Sequence, residues 1–352
     1  MSDPHRIDGH KLMFHPHRVA AWRDSGDEWE RAKAVYPLYV EVSPVGACNH
    51  RCTFCAVDYI GYKAVMLESA LLSERLFEMG ALGVKSVMFA GEGEPLLHKH
   101  IGELVYAARL AGIDVSFTTN GVLLDRLEAL DRCEWIKVSL NAGTRETYAA
   151  VHRGKDGDWE KVWRNLKAAV KRKGRCTIGV QTLLLPENEK EILGLAALCQ
   201  DTGVDYLVVK PYSQHKKSIT HEYEGARFDT YKLEQQLALF DSEAFRVVFR
   251  SEAMATTEPT YEKCNATPFF WAYVMASGDV YGCSAYLLDE RFRYGNLNTQ
   301  TFRQVWEGDR RRASWEHVRK HLDIHECRVN CRMDKANRYL ADFDTVGHVN
   351  FV

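Results

Sequence analysis

The chain has 352 residues, 46% of them hydrophobic and 27% charged, with a formal net charge of −2. That length allows a large core and more than one domain, and the composition is that of an ordinary globular protein. The near-neutral balance argues against a general nucleic-acid binder, which shows a strong basic excess.

The opening stretch, MSDPHRIDGHKLMFHPHR, carries polar and charged residues where a secretory signal needs an apolar core. No apolar run approaches the roughly 18 residues of a membrane span. These features point to a cytoplasmic protein without a membrane partner, in which ten cysteines are better read as metal or cluster ligands than as disulfides. Residues 1–37 read as an N-terminal helical extension.

From 38 to 215 the chain alternates apolar, β-branched runs with helical patterns. Strands are predicted at 38–45, 85–90, 113–118, 135–140, 177–185 and 205–210, and helices at 71–83, 161–173 and 191–203. Gly83 and Gly203 stand where helix C-caps want them. Six β–α units imply a parallel sheet with right-handed crossovers, too few to close an eight-stranded barrel. The fold class expected is α/β: a partial (β/α)6 TIM-like barrel, its strands buried on both faces because their apolar character is nearly continuous.

A connecting segment follows at 216–263, with a helix-like YKLEQQLALF and a strand-like FRVVFRS. Residues 264–352 read as a small C-terminal α+β domain. It opens with a hairpin turning at Ser-Gly-Asp, continues with a helix near 300–320, and carries a cysteine pair at 327 and 331. The basic clusters at 171–173 and 309–312 read as solvated helix faces.

Three cysteines, Cys48, Cys52 and Cys55, follow the first strand as C-x3-C-x2-C. A structural zinc needs four tight ligands, and His50, between two of the cysteines, is awkwardly placed as the fourth. Three thiolates on a [4Fe–4S] cluster leave one iron open, which is a catalytic arrangement. CNHRCTFC in this position resembles the cysteine motif of the radical S-adenosylmethionine (SAM) enzymes. That resemblance implies a cluster whose open iron is chelated by the amino and carboxylate groups of SAM.

The motifs after the next strands resemble the same family in order. GEGEPLL at 91–97 is similar to its GGE motif, with Gly93 and Glu94 at the matching positions; the carboxylate is a sound partner for the SAM ammonium. TTNG, with Thr119 and Asn120, resembles the stretch lining the nucleoside and methionine. VSLNAG puts Ser139 and Asn141 two residues apart, on one face of the fourth strand, and resembles the family's contacts to ribose and carboxylate. Arg153 falls where a partner for the SAM carboxylate is expected, and Gln181 lies on the fifth strand. The implied chemistry is reductive SAM cleavage to a 5′-deoxyadenosyl radical, which abstracts hydrogen from substrate.

Cys264, Gly278 and Cys283, spaced C-x13-G-x4-C, resemble the start of the SPASM and twitch domains, the auxiliary-cluster extensions of this family. With Cys327 and Cys331 they make four ligands, which suits one closed [4Fe–4S] cluster. A zinc site from the same four cysteines is the alternative. Cys133 and Cys199 read as buried apolar residues. Cys176 begins the fifth strand; facing the interior, it would return a hydrogen atom to a substrate radical. Lys210 and Tyr212 end the sixth strand as substrate-side candidates, and a lysine there is expected to have a depressed pKa if unpaired. Glu92 either faces the site or supports its loop.

These readings together lead to a radical SAM oxidoreductase of the dehydrogenase type. Its substrate would be a small sugar or aminocyclitol alcohol, its electron acceptor the auxiliary cluster, and its reductant a flavodoxin or ferredoxin. The alternatives are a peptide- or protein-modifying SPASM enzyme (a maturase of ribosomal peptides or of sulfatases), a redox-neutral sugar epimerase and, as a non-enzyme, an iron–sulfur or zinc scaffold.

Overall fold

The computed structural model describes residues 5–256 and 258–351. Its strands are β1 Tyr39–Val42, β2 Ser86–Phe89, β3 Asp114–Thr119, β4 Trp135–Ser139, β5 Thr177–Leu184, β6 Tyr206–Pro211, β7 Arg246–Phe249, β8 Trp271–Val274, β9 Asp279–Tyr281 and β10 Arg293–Asn296. They form one sheet in the order β10-β9-β8-β1-β2-β3-β4-β5-β6-β7. Strands β1 to β7 pair in parallel with their neighbours in sequence. Since β7 and β10 stand at opposite ends of the order, the sheet stays open. The fold is an α/β partial barrel.

Two features differ from the sequence reading. The strand-like FRVVFRS becomes β7, a seventh parallel strand paired with β6, so the segment 216–263 is more than a connection. The C-terminal hairpin does not start a sheet of its own: β8 pairs in parallel with β1, Tyr39 opposite Trp271 and Val42 opposite Val274, and β9 and β10 follow antiparallel. The physical reason is the free edge of β1, whose backbone groups lie in a buried setting and need a partner.

Alternation along the strands separates two faces. Val40, Val42, Phe89, Phe117, Ile136, Val138, Ile178 and Val180 are fully buried in the main core. That core includes Leu72, Leu76, Leu104 and Leu166 from the crossover helices Ser69–Ala81, Ile101–Leu110 and Asp158–Arg172. The in-between positions carry Glu41, Lys137, Gln181 and Lys210. The strands are therefore not apolar on both sides; the inner face is polar and charged. Gly83 and Gly203, at φ +90° and +80°, end their helices as expected.

At the N-terminus, the helix Pro16–Ser25, with proline in its first turn, and the turn Trp29–Ala32 place Trp22 and Trp29 against Phe269, Phe270 and Trp315. The helix Asp309–Lys320 is not simply a solvated face. Arg311 is 0% exposed, lies over the Trp306 ring at 3.9 Å, and donates to the carbonyls of Trp306 and Pro268. The guanidinium's flat face and fixed donors suit this apolar slot.

Candidate active site

Because β1 to β6 run parallel, the segments that follow them meet at one end of the sheet. Gly93 packs so closely on the loop before Cys48 that a Cβ there would lie 2.1 Å from the Val45 carbonyl oxygen and 2.4 Å from that of Ala47. The next residue, Glu94, donates its N–H to Ala47 O at 2.9 Å. The close approach that requires glycine is thus to the cysteine loop itself.

The Glu94 carboxylate is buried and ties that loop to the end of β3. It accepts from Thr119 Oγ1 at 2.6 Å, the Asn120 amide at 2.8 Å and the Leu96 amide at 3.1 Å. Asn120 in turn donates Nδ2 to Asn49 Oδ1 at 2.7 Å, inside the cysteine motif. Three of the four acceptor positions of the carboxylate are filled, which leaves one for a further donor. Burial raises the Glu94 pKa, against these three donors.

The thiols of Cys48, Cys52 and Cys55 lie close enough to act on one another's charge. Burial and then the neighbouring Cys55 and Cys48 hold the Cys52 pKa well above the usual thiol range. Burial and then Glu94 push that of Cys48 up to about 12. Three buried thiolates beside a carboxylate are unfavourable unless a cationic centre compensates them, so the donor set fits an iron–sulfur cluster with one iron left open. His152 stands behind them, Nδ1 3.7 Å from Cys52 Sγ. His50 lies 3.3 Å from Asp158 Oδ2, and ligand atoms of His50, Cys52 and His152 come within 4.8 Å of one another.

A second group gathers Cys264, Cys283, Cys327 and Cys331. Burial and then Cys264, Cys331 and Cys327 hold the Cys283 pKa well up; Cys331 is pushed to about 12 by burial and then Cys264. Four thiols in mutual range fit a closed centre.

Between the two cysteine groups lies a cavity of about 270 Å³. Phe54, Cys55 and Val57 line one side, and Arg328 and Asn330, which flank Cys327 and Cys331, line the other. Ser139, Asn141, Gln181, Lys210 and Tyr212 form the wall between. The register explains the wall: Ser139 pairs with Gln181, and Leu183 with Lys210, in adjacent layers. Asn141 is fixed by Leu183 N, which donates to its Oδ1 at 2.6 Å.

Two expected residues lie elsewhere. Cys176 does not face the interior. It sits before β5, five residues upstream of Gln181 and roughly 16 Å along the strand. There, burial and then Asp205 push its pKa up to about 12. Arg153 closes the helix Arg145–His152 in a left-handed turn, has a side chain 55% exposed, and faces Glu222 at 3.8 Å; it is not part of the cavity lining. Glu92 supports the loop: it accepts from the Ala276 amide at 3.0 Å and the Tyr273 hydroxyl at 3.3 Å, binding the turn after β2 to the C-terminal hairpin.

Sequence reasoning missed Lys137, Glu41, Arg250, Arg328 and His152. For the first two the signal was present, a charge inside an apolar strand. Arg328 lay unremarked between two cysteines.

Comparison with known proteins agrees with this geometry. Residues 42–199 match the model of the radical SAM superfamily, and residues 264–332 that of the SPASM iron–sulfur cluster-binding domain. The chain belongs to the radical SAM superfamily and carries a SPASM domain. Its cofactors are two [4Fe–4S] clusters and SAM.

Among curated relatives of this radical SAM chain is the GTP 3′,8-cyclase of Chlorobaculum tepidum, 34% identical over 196 residues, 53% of this chain and 58% of that one. Another is the GTP 3′,8-cyclase of Rhizobium etli, 30% identical over 214 residues, 58% of this chain and 60% of that one. The match thus spans little more than half the length of these relatives. Among solved structures, SuiB of Streptococcus suis bound to S-adenosylmethionine aligns with a TM-score of 0.62 at 16% identity, over 85% of this chain and 70% of that one. The anSMEcpe structure with bound AdoMet aligns at 0.58 and 17%, over 78% and 82%. These likenesses show the fold. No helix among the described residues is long and apolar enough to cross a membrane.

Proposed function

We propose that this radical SAM enzyme is an oxidoreductase that removes hydrogen from an alcohol carbon of a small polar metabolite of the sugar class. The observation that carries this reading is the position of the cavity. One wall is the Cys48–Cys55 loop and the other is the Arg328–Asn330 turn inside the second cysteine group, so a substrate seated there is close to both.

Cys48, Cys52 and Cys55 would hold the SAM-binding cluster, and Cys264, Cys283, Cys327 and Cys331 the auxiliary one. When bound, these groups supply reductive SAM cleavage, hydrogen abstraction and, at the closed site, an electron acceptor; an external reductant such as a flavodoxin or ferredoxin primes the first. The polar wall of Ser139, Asn141 and Gln181 orients SAM and keeps the target carbon in reach, which is most of what a protein contributes to such chemistry. Lys210 is the candidate proton acceptor. Burial, and then the cations around it, hold its pKa well below the usual lysine range, so its amine is available to take the hydroxyl proton as the carbon becomes a carbonyl. The overall step removes one hydrogen atom, one proton and one electron from the alcohol.

The test is anaerobic reconstitution, iron counting and turnover with a panel of sugars, an aminocyclitol, GTP and a peptide. About eight irons, formation of 5′-deoxyadenosine with reductant, and a product lighter by two hydrogens are expected. A rearranged product of unchanged mass from GTP would replace this reading with that of the curated relatives, and a modified peptide with that of a maturase.

A further inference from the structure

The inner face of the barrel carries more basic side chains than acidic ones. Lys210 at the end of β6, Arg250 just after β7 and Arg328 all line the cavity. Lys137 on β4 and Arg332 lie near them, and with Arg250 and Arg328 they are the charged groups that act most strongly on Lys210. Against three arginines and two lysines, whose pKa values burial lowers, stand two carboxylates and, beside Arg328, the thiols of Cys331 and Cys283. Glu41 is paired with Arg332 at 2.9 Å, and Asp8 with Arg250 at 2.6 Å. Among the described residues no carboxylate is paired with Lys137, Lys210 or Arg328.

Arg328 is also held rigid. Its Nε donates to Ser213 Oγ at 2.8 Å and its Nη2 to Ser213 O at 2.7 Å, which leaves Nη1 without a protein partner among the described residues. A guanidinium fixed in this way has lost its rotamer freedom before any ligand arrives, the usual form of a pre-organised anion site.

We propose that the cavity is an anion subsite and that the substrate carries a phosphate group, gripped by Arg250 and Arg328 beside Lys210. This rests on the cavity being the substrate site and narrows the substrate class. A phosphate dianion, with two charges and three acceptor oxygens, can engage both arginines and the Lys210 amine, which gains a proton beside it, where a single carboxylate cannot, and arginine offers it paired donors. SAM cannot fill the role: its carboxylate comes with an ammonium and a sulfonium, so it adds no net negative charge. An aminocyclitol brings an ammonium into a site lined by arginines and basic amines, so the amine-bearing half of the expected substrate class is disfavoured, and a sugar phosphate is the class that fits.

The experiment is calorimetric titration of the cluster-reconstituted, SAM-loaded enzyme with inorganic phosphate, pyrophosphate and succinate, at two salt concentrations. Phosphate and pyrophosphate are expected to bind, more weakly at the higher salt, and more tightly than succinate. Arg328→Gln and Arg250→Gln are each expected to weaken pyrophosphate binding at least tenfold, with Arg328→Lys in between. Arg312→Gln, on an exposed helix face, should leave it unchanged. Iron is counted in every variant because Arg328 flanks two cysteines; Arg250 lies away from them and supplies the second, independent variant. Absence of phosphate and pyrophosphate binding, equal affinity in wild type and Arg250→Gln, or tighter binding of succinate would each overturn the proposal. Formation of 5′-deoxyadenosine with dithionite and no added phosphate or pyrophosphate is measured in parallel. Its loss would count against the catalytic reading, whereas its persistence without phosphate binding would count against the anion subsite alone.

Discussion

His152 links the cysteine loop to the end of β4: its Nε2 accepts the Asn141 backbone N–H at 2.9 Å, and its Nδ1 lies 3.7 Å from Cys52 Sγ. A backbone N–H can only donate into an unprotonated nitrogen, so Nε2 is bare and the ring's proton sits on Nδ1, facing the sulfur. Burial, and then the neighbouring His50, keep the ring neutral by holding its pKa well below the usual value. An N–H donor stabilises the charge that gathers on a thiolate when its cluster is reduced.

Replacing His152 by Phe should preserve the stacking on Tyr148, at 4.4 Å between ring centroids, and remove the donor. One hydrogen bond of about 1 kcal/mol corresponds to about 40 mV for one electron, so the midpoint potential of the first cluster should fall by about that much. A redox titration followed by electron paramagnetic resonance reads it. An unchanged potential with full iron content would remove the donor role.

Cys264→Ser separates the two centres. With one of four closed ligands exchanged, the iron content should drop from about eight to about four per chain. Reductant-driven 5′-deoxyadenosine formation should survive, since Cys48, Cys52 and Cys55 are untouched, while substrate oxidation should be lost. Retention of both the iron and the turnover would argue against the second cysteine group as an electron acceptor.

The strands, the crossover helices and both cysteine groups were legible because each rests on a local signal, such as apolar alternation, a terminal glycine or cysteine spacing. The pairing of β8 with β1 was not, because it joins residues more than two hundred positions apart and depends on an edge that exists only in the folded sheet. Arg153 and Cys176 lie outside the cavity lining for a related reason. Position in a motif says where along the chain a residue lies, whereas helix Arg145–His152 turning left-handed at its end decides where Arg153 points. The charged inner face was written in the strands as Glu41, Lys137 and Lys210; Lys210 stood out at its strand end, but a reading built on continuous apolar runs passed over Glu41 and Lys137.

Glu92 makes a pH prediction. Burial pushes its pKa up to about 7, against about 4.3 in an unfolded chain. Between those values the folded protein keeps a proton that the unfolded chain has lost, so this residue's contribution to stability falls as pH rises through the window. Glu92→Gln is neutral throughout and can still accept from Ala276 N. It should match wild type near pH 4.5 and exceed it at pH 8 by on the order of 2 kcal/mol. Thermal melts across that range measure the difference. A variant that loses stability as pH rises would show that the carboxylate is needed in its charged form.

Gly93 offers the sharpest separation of loop from fold. An added Cβ would meet the carbonyl oxygens of Val45 and Ala47 at 2.1 and 2.4 Å, both main-chain atoms that cannot rotate away. The loop leading to Cys48 must move, and the Glu94 N–H to Ala47 O bond is strained with it. Overpacking of this kind costs about 1–3 kcal/mol, small beside what the sheet as a whole contributes, so the Gly93→Ala protein should fold. Its first cluster should load poorly, leaving about four irons per chain, with 5′-deoxyadenosine formation lost and the auxiliary site intact, the reverse of Cys264→Ser. Gly194→Ala is the control: nothing lies within 4 Å of a Cβ there, and alanine within the helix Ile192–Thr202 should be neutral or stabilising by up to about 1 kcal/mol. Full iron content and SAM cleavage in Gly93→Ala would mean that the loop tolerates displacement and that the close approach is not what shapes the cluster site.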